Sequence, residues 1–284
     1  MKRFITIGIL ILASIGIAIV VYGRYQWQTD TDNLRAKFAS GRQIIKPKFY
    51  SQTELEGLPA PVQRFFRKVL KDGQPMIAAV KLSQRGQFNM SETEVKWNPF
   101  TATQIAIAQR PGFDWDGHIQ IVPGLNTLVH DTYRSGVGNL HASLLGLFTV
   151  AAIHDTPELN QGELMRFFAE GAWYPTALLP SQGVSWEAID DNSARGTLTD
   201  GKTTASLVFR FNAEGTIDTF RADARYATFD GKLSAMPWVG RMRDYAVRDG
   251  MYIPPYGEVG WERLEGTWLY YKGRVTEIEY EFAS

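Results

Sequence analysis

The residues whose types and spacing suggest chemistry are two histidines and an aspartate in a predicted β-hairpin over residues 111–136. Apolar and polar residues alternate along both halves of this segment, as expected for antiparallel strands with one buried face. Pairing symmetric about Gly124 places His118 opposite His130, with Asp116 on the same face. Two neutral imidazoles and a carboxylate form a ligand set for a divalent metal such as zinc. The polar face of the hairpin is therefore a candidate metal-dependent catalytic centre.

The same three side chains also fit a plainer interpretation, in which solvated histidines face each other across two strands and bind nothing. No HExxH spacing supports a zinc enzyme, and no G-x-S-x-G motif supports a serine nucleophile. The chain has 0 Cys, which excludes thiolate nucleophiles and thiolate metal sites. We therefore expect no cofactor and favour a protein without catalytic activity.

The longest break between predicted strands runs from residue 156 to residue 191. Pro157 suits the first turn of a helix, where its missing N–H costs nothing, and Gly171 predicts that the helix ends near Glu170. The WYPTALLP segment that follows (173–180) is too apolar for a solvated loop. We expect it to lie against a sheet or across the mouth of a cavity.

Short β-type segments separated by turn residues fill most of the remaining chain, with a strong hairpin signal at Asp200-Gly201. In the segment that follows, Ala205, Leu207 and Phe209 share one face, as in a half-buried strand. The sequence predicts a mainly β (α+β) fold. Its core is one large curved, half-barrel-like antiparallel sheet with one or two packed helices, preceded by a transmembrane helix.

Residues 229–255 are predicted to be irregular and carry a cluster of charges. Arg241, Arg243 and Arg248 are candidates for binding an anionic headgroup, because guanidinium groups offer forked donors to phosphate or carboxylate. The alternative is a loop whose charges pair with one another.

The first 24 residues are predicted to form a membrane anchor. Residues 4–22 are uncharged and almost wholly apolar, and a helix of this length spans roughly 30 Å, the thickness of a hydrocarbon core. The segment is longer than the apolar region of a signal peptide and lacks an A-x-A-like cleavage site, so we favour an uncleaved anchor over a cleaved signal. Residues 25–50 then form a linker or stalk, and residues 51–284 a single β-rich domain.

Charge fixes the expected location and excludes one class of partner. Lys2 and Arg3 precede the apolar segment, which predicts a single-pass protein of the cytoplasmic membrane with its C-terminal domain outside the cytoplasm. Without the first 23 residues, 28 basic and 30 acidic residues remain. This balance gives no electrostatic surface for nucleic acid. The membrane is the expected partner, and the sequence does not indicate which proteins the chain binds.

One or two helices are too few to cover the apolar face of a large sheet, so we expect a lined cleft. The main hypothesis is a binder of a lipid or another apolar ligand. The alternatives are an envelope enzyme built on the His118/His130/Asp116 face and a scaffold for protein partners. The expected cleft lining is aromatic and aliphatic: Trp115, Tyr133, Phe168, Trp173, Tyr174 and Leu178.

Several motifs together resemble a bacterial family of membrane-anchored proteins with no assigned function. They are LPAPVQRFF (58–66), RPGFDWDG (110–117), DTYRSGVGNL (131–140), ELMRFFAEGAWYPTALLP (163–180), GVSWEAID (183–190) and DGMYIPPYGEVGW (249–261). The resemblance covers nearly the whole predicted domain and implies no catalytic residues. The predicted architecture is also similar to that of lipoprotein-carrier and lipid-binding half-barrels of bacterial envelopes, a likeness of pattern that does not fix function.

Overall fold

The computed structural model describes residues 2–229 and 231–283. Three α-helices lie within these ranges: α1 (Lys2–Ser40), α2 (Ala60–Val69) and α3 (Pro157–Glu170). The first six strands are β1 (Ile77–Asn89), β2 (Trp97–Ile107), β3 (Gly112–Val122), β4 (Leu125–Arg134), β5 (Val137–Leu144) and β6 (Phe148–His154). The others are β7 (Val184–Asp190), β8 (Ser193–Asp200), β9 (Thr203–Phe211), β10 (Ile217–Phe229), β11 (Lys232–Arg243), β12 (Ala246–Arg248), β13 (Met251–Ile253), β14 (Tyr256–Arg263) and β15 (Gly266–Phe282).

Thirteen of these strands form one open antiparallel sheet, with the order β6-β5-β4-β3-β2-β1-β15-β14-β11-β10-β9-β8-β7. Two meanders therefore meet where the last strand pairs with the first, and β12 and β13 form a separate small hairpin. The predicted fold class is confirmed. Strand alternation sets the faces as expected, since Ala205, Leu207 and Phe209 on β9 are all buried.

Helix α3 lies on the concave side of the sheet and contacts both wings, packing on β3, β4 and β5 on one side and on β9 and β10 on the other. Pro157 occupies its first turn, as predicted, and the Thr156 side chain caps the helix by accepting a hydrogen bond from the backbone N–H of Leu159. After Glu170, three short 3₁₀ turns carry the WYPTALLP segment through the core. Residues 171–179 are all buried.

Helix α1 has two halves with different surroundings. None of the residues in its most apolar stretch is buried, and the helix is long and apolar enough to cross a membrane. From Gly23 onward the helix lies on the outer face of the sheet. A side chain at Gly23 would meet the backbone oxygen of Leu145 at 2.1 Å, so glycine permits this close approach. Phe38, near the other end of the contact, is also buried. Residues 25–40 of the predicted linker thus continue α1.

The two ends of the sheet differ in their relation to α1. The exposed half of α1 extends beyond the end formed by the β1–β2, β3–β4, β5–β6 and β14–β15 turns. We call this end the anchor end, after the membrane anchor that the sequence predicts. Gly23 contacts the β5–β6 turn at this end, and Arg263 donates a 3.0 Å hydrogen bond to the backbone oxygen of Glu92 in the β1–β2 turn. The β12–β13 hairpin lies at the opposite, distal end.

Two local predictions are wrong. In the β3–β4 hairpin, His130 pairs with Asp116 and not with His118, which pairs with Leu128. The register is therefore shifted by two residues from the predicted one. An even shift keeps every side chain on its predicted face. The second error concerns residues 229–255, since β11 and the β12–β13 hairpin occupy most of this predicted irregular segment.

Candidate ligand-binding cavity

A cavity of about 330 Å³ lies between the concave face of the sheet and α3. Its walls are overwhelmingly apolar, and they come from both wings of the sheet. Wall residues include Phe88, Trp115, Ile119, Val129, Leu140, Ala142, Phe220, Trp238, Met242, Val259, Tyr270 and Tyr271. The cavity volume falls at the lower end of the range for small-molecule pockets, and it suits a single apolar chain or ring system.

The exposure of the lining residues shows which way the cavity opens. Met90 and Val150, at the anchor end of the sheet, are 46% and 58% exposed. Ala169 and Trp173, at the level of α3, are 2% and 3% exposed. The mouth of the cavity is therefore at the anchor end, and α3 and the segment after it close the floor.

The floor carries a buried polar cluster centred on Arg166 of α3. Its guanidinium pairs with Asp131 on β4 and donates from Nε to Glu170 Oε1 at 2.8 Å. It also stacks over the rings of Phe113 and Trp115, at 4.8 and 5.2 Å from their centroids. Burial of a guanidinium is favourable only with such partners.

A second arginine, Arg225 on β10, is buried and faces the same floor. It donates to Glu163 Oε1 at 3.1 Å and lies 4.5 Å from the ring centroid of Trp238. Burial and the nearby Asp131 charge raise the pKa of the Glu163 carboxyl to about 8, against the opposing effect of Arg225. Glu163 Oε2 and Asp131 Oδ1 are both buried without a hydrogen-bond partner, and a proton on Glu163 would let the two carboxyl groups pair.

Stability should therefore depend on pH through Glu163. Its folded-state pKa is raised from 4.5 to about 8, so the folded state binds more protons than the unfolded state between these values. The stability that Glu163 contributes is full below the lower pKa, decreases as pH rises between the two values, and is lost once pH has risen through the upper one. We expect Glu163→Gln to gain stability relative to the natural chain between pH 5 and pH 9, as measured by urea unfolding. The same shift in Glu187→Gln, which removes an exposed carboxyl, would contradict this origin.

The structure divides the six predicted lining residues into two groups. Trp115 and Trp173 line the cavity. The other four are buried in the surrounding core, where the Tyr133 hydroxyl donates to Asp200 Oδ2 at 3.0 Å and the Tyr174 hydroxyl donates to the Phe167 backbone oxygen at 2.7 Å. Phe168 packs on Phe209, and Leu178 packs on Gly171. Their contact with a ligand stays a prediction.

The three arginines predicted to bind an anionic headgroup lie away from the cavity mouth, toward the distal end. Arg241 is 3.7 Å from Asp218 Oδ1, and Arg243 pairs with Glu258. Arg248 donates to the backbone oxygen of Val247 at 2.9 Å. Arg241 and Arg243 occupy the face of β11 opposite to the cavity wall.

Helix α1 covers Asp116 and His130 on the predicted metal-binding face and leaves the His118 side chain 41% exposed. Trp27 Nε1 donates to Asp116 Oδ1 at 2.9 Å, and the Trp27 ring stacks on His130 with centroids 4.6 Å apart. His118 Nε2 lies 3.3 Å from Asp116 Oδ1. Burial acts to raise the pKa of Asp116, but hydrogen bonds from His118 and Trp27 outweigh it and lower that pKa. Among the described residues, no three His, Asp or Glu side chains are grouped to hold a metal ion.

A chain of hydrogen bonds one turn further along α1 also joins this face of the sheet to the helix. We call this chain, formed by Thr31, His130, Asp114 and Arg35, the relay. His130 Nδ1 donates to Asp114 Oδ1 at 2.8 Å, and His130 Nε2 lies 2.8 Å from Thr31 Oγ1. Arg35 Nε donates to Asp114 Oδ2 at 2.7 Å. Of the three side chains in the enzyme hypothesis, His130 is therefore held by Asp114 and Thr31, and Asp116 accepts from Trp27.

The charged floor of the cavity was not predicted from the sequence. Glu163, Arg166 and Glu170 recur at helical spacing inside an otherwise apolar helix face, which was a usable signal. Arg225 gave none. The pairing of β10 with β11 shifts between Ala222 and Arg225, and this bulge turns Arg225 toward the core.

Similar proteins are known among solved structures and protein families. A LolA superfamily protein from Nitrosomonas europaea is 7% identical, with 78% of this chain and 94% of that chain covered and a TM-score of 0.39. A DUF1329 family protein from Desulfovibrio piger is 13% identical, with 72% and 86% covered and a TM-score of 0.39. No curated protein sequence matches the chain. The sequence pattern of the DUF6920 family of unknown function matches residues 56–280, and the chain therefore belongs to that family.

Proposed function

We propose that this protein is a membrane-tethered, non-catalytic binder of a lipid or another apolar ligand, and that the ligand occupies the cavity between the sheet and α3. The observation that carries the proposal is an apolar hollow of about 330 Å³ with an exposed mouth. A fully packed interior would have favoured the scaffold hypothesis. Trp115 and Trp173 would contact the ligand directly.

Transfer of an apolar chain from water into such a cavity is favourable by about 0.8 kcal/mol for each buried CH₂ group. The arginines of the floor already have carboxylate and aromatic partners, so the floor presents a charge-balanced surface. Affinity would therefore come mainly from the walls. A long acyl chain is the ligand class that best fits this distribution.

The apolar half of α1 would tether the binder to the cytoplasmic membrane, with the C-terminal domain outside the cytoplasm. This tether is supported by the exposure of the apolar stretch of α1, because none of its residues is buried in the protein core. Lys2 and Arg3 supply the cytoplasmic positive charge.

Photo-crosslinking tests the proposal. The full chain in phosphatidylcholine vesicles is exposed to a long-chain fatty acid that carries a diazirine, and its peptides are mapped by mass spectrometry. We expect adducts on β3, β4 and β15. In Ala142→Phe the new ring points into the cavity, and we expect at least about a tenfold loss of these adducts, equivalent to ~1.4 kcal/mol. Adducts on α1 serve as the internal reference.

Ala188→Phe is the matched control, because it places the same ring on an exposed position of β7 outside the cavity. It should leave the adduct pattern unchanged. Labelling confined to α1 would reject the binding proposal. Stoichiometric metal in the purified chain would instead support the enzyme alternative.

A further inference from the structure

The anchor end of the sheet carries exposed apolar side chains on four successive turns and strand ends. Leu264 is fully exposed, and the exposed fractions of the others lie between 46% for Met90 and 68% for Val95, with Val122, Val150 and Phe148 between them. Isolated exposed apolar residues are ordinary on a protein surface. A set gathered at one end of a sheet marks an interaction surface.

The direction and length of helix α1 indicate what lies beyond this end of the sheet. Gly23 is in contact with the β5–β6 turn, where its own backbone lies 2.6 Å from the position a side chain at Gly146 would take. From Gly23 back to Phe4 the helix extends roughly 30 Å past the sheet, the thickness of a hydrocarbon core. If residues 4–22 cross the bilayer, the turns at the anchor end lie at its surface.

The mouth of the cavity opens at the same end. Met90 and Val150 belong both to the lining and to the exposed apolar set. An apolar ligand could then pass between bilayer and cavity without crossing water. Acyl chains are insoluble enough that such a direct route removes the cost of exposing each CH₂ group.

We propose that the anchor end, with Val95, Phe148 and Leu264 at its tips, inserts into the outer surface of the bilayer that holds α1, so that the cavity mouth exchanges its ligand directly with lipid. This inference rests on the proposed function for the identity of the ligand. The contact with the bilayer itself stands on the direction of α1 and the exposed tips.

The absence of natural cysteine makes a clean test possible. Val95→Cys and Leu264→Cys are each labelled with an environment-sensitive fluorophore in the full chain, reconstituted in phosphatidylcholine vesicles. Val247→Cys is the matched control, because this distal-end valine is 63% exposed against 68% for Val95. We expect blue-shifted emission at Val95 and Leu264 and its loss when nitroxide-labelled lipid is added. The label at Val247 should show neither change.

The outcomes separate this inference from the binding proposal. Equal, unquenched emission at all three sites would overturn membrane insertion, even if cavity adducts form in the crosslinking experiment. Quenching at Val95 and Leu264 without cavity adducts would uphold insertion and reject ligand binding. Quenching at Val247 as strong as at Val95 would also overturn the inference, because it would mean that the distal end contacts lipid.

Discussion

Replacement of Arg166 by methionine is expected to lower the free energy of unfolding by about 3 to 5 kcal/mol, the cost of leaving buried charges without their partner. Methionine keeps much of the side-chain volume, so the loss comes from charge. Asp131 and Glu170 are 14% and 10% exposed, and both lose their guanidinium partner. The stacking on Phe113 and Trp115 is lost as well. Urea unfolding of the full chain in detergent micelles, followed by circular dichroism, measures the change.

Arg221→Met is the control for this substitution. Arg221 pairs with Asp223 and Glu262 on the exposed surface, where an ion pair contributes at most about 1 kcal/mol. Equal losses for the two variants would show that the floor cluster has no special role. Addition of Asp131→Asn and Glu170→Gln to Arg166→Met should recover most of the stability, because the unpaired charges are then removed.

The second large effect is expected from Asp114→Ala, which breaks the relay between the sheet and α1. Asp114 is fully buried and accepts hydrogen bonds from Arg35 and His130. Loss of a buried carboxylate with two polar partners should cost about 3 kcal/mol. We further expect residues 24–38 to exchange their backbone amide hydrogens faster, because this part of α1, which lies on the outer face of the sheet, loses its attachment.

Asp32→Ala is the matched control on α1 itself. Its carboxylate is exposed and accepts a 3.0 Å hydrogen bond from Gln28 on the same helix. It should change neither stability nor amide exchange measurably. If Asp114→Ala leaves exchange in residues 24–38 unchanged, the apolar contacts of Trp27 and Phe38 hold the helix without the relay.

Local signals in the sequence determined the start of α3, the faces of the strands and the apolar N-terminal helix. The Thr156-Pro157 pair set the start of α3 because its cap involves only neighbouring residues. The faces of β9 followed from strict alternation, and the apolar run over residues 4–22 gave a helix of spanning length. Each of these features depends on interactions within a few residues, so composition and spacing suffice to predict it.

Only the tertiary structure decided the candidate site. Trp27 covers Asp116 across 89 residues of sequence, and Arg225 meets Glu163 across 62. The bulge that turns Arg225 inward and the register of the β3–β4 hairpin depend on which neighbouring strands compete for the same backbone groups. The cavity is likewise the space left when two wings and one helix pack together. No local pattern encodes that volume, because it is set by the sum of contacts between distant parts of the chain.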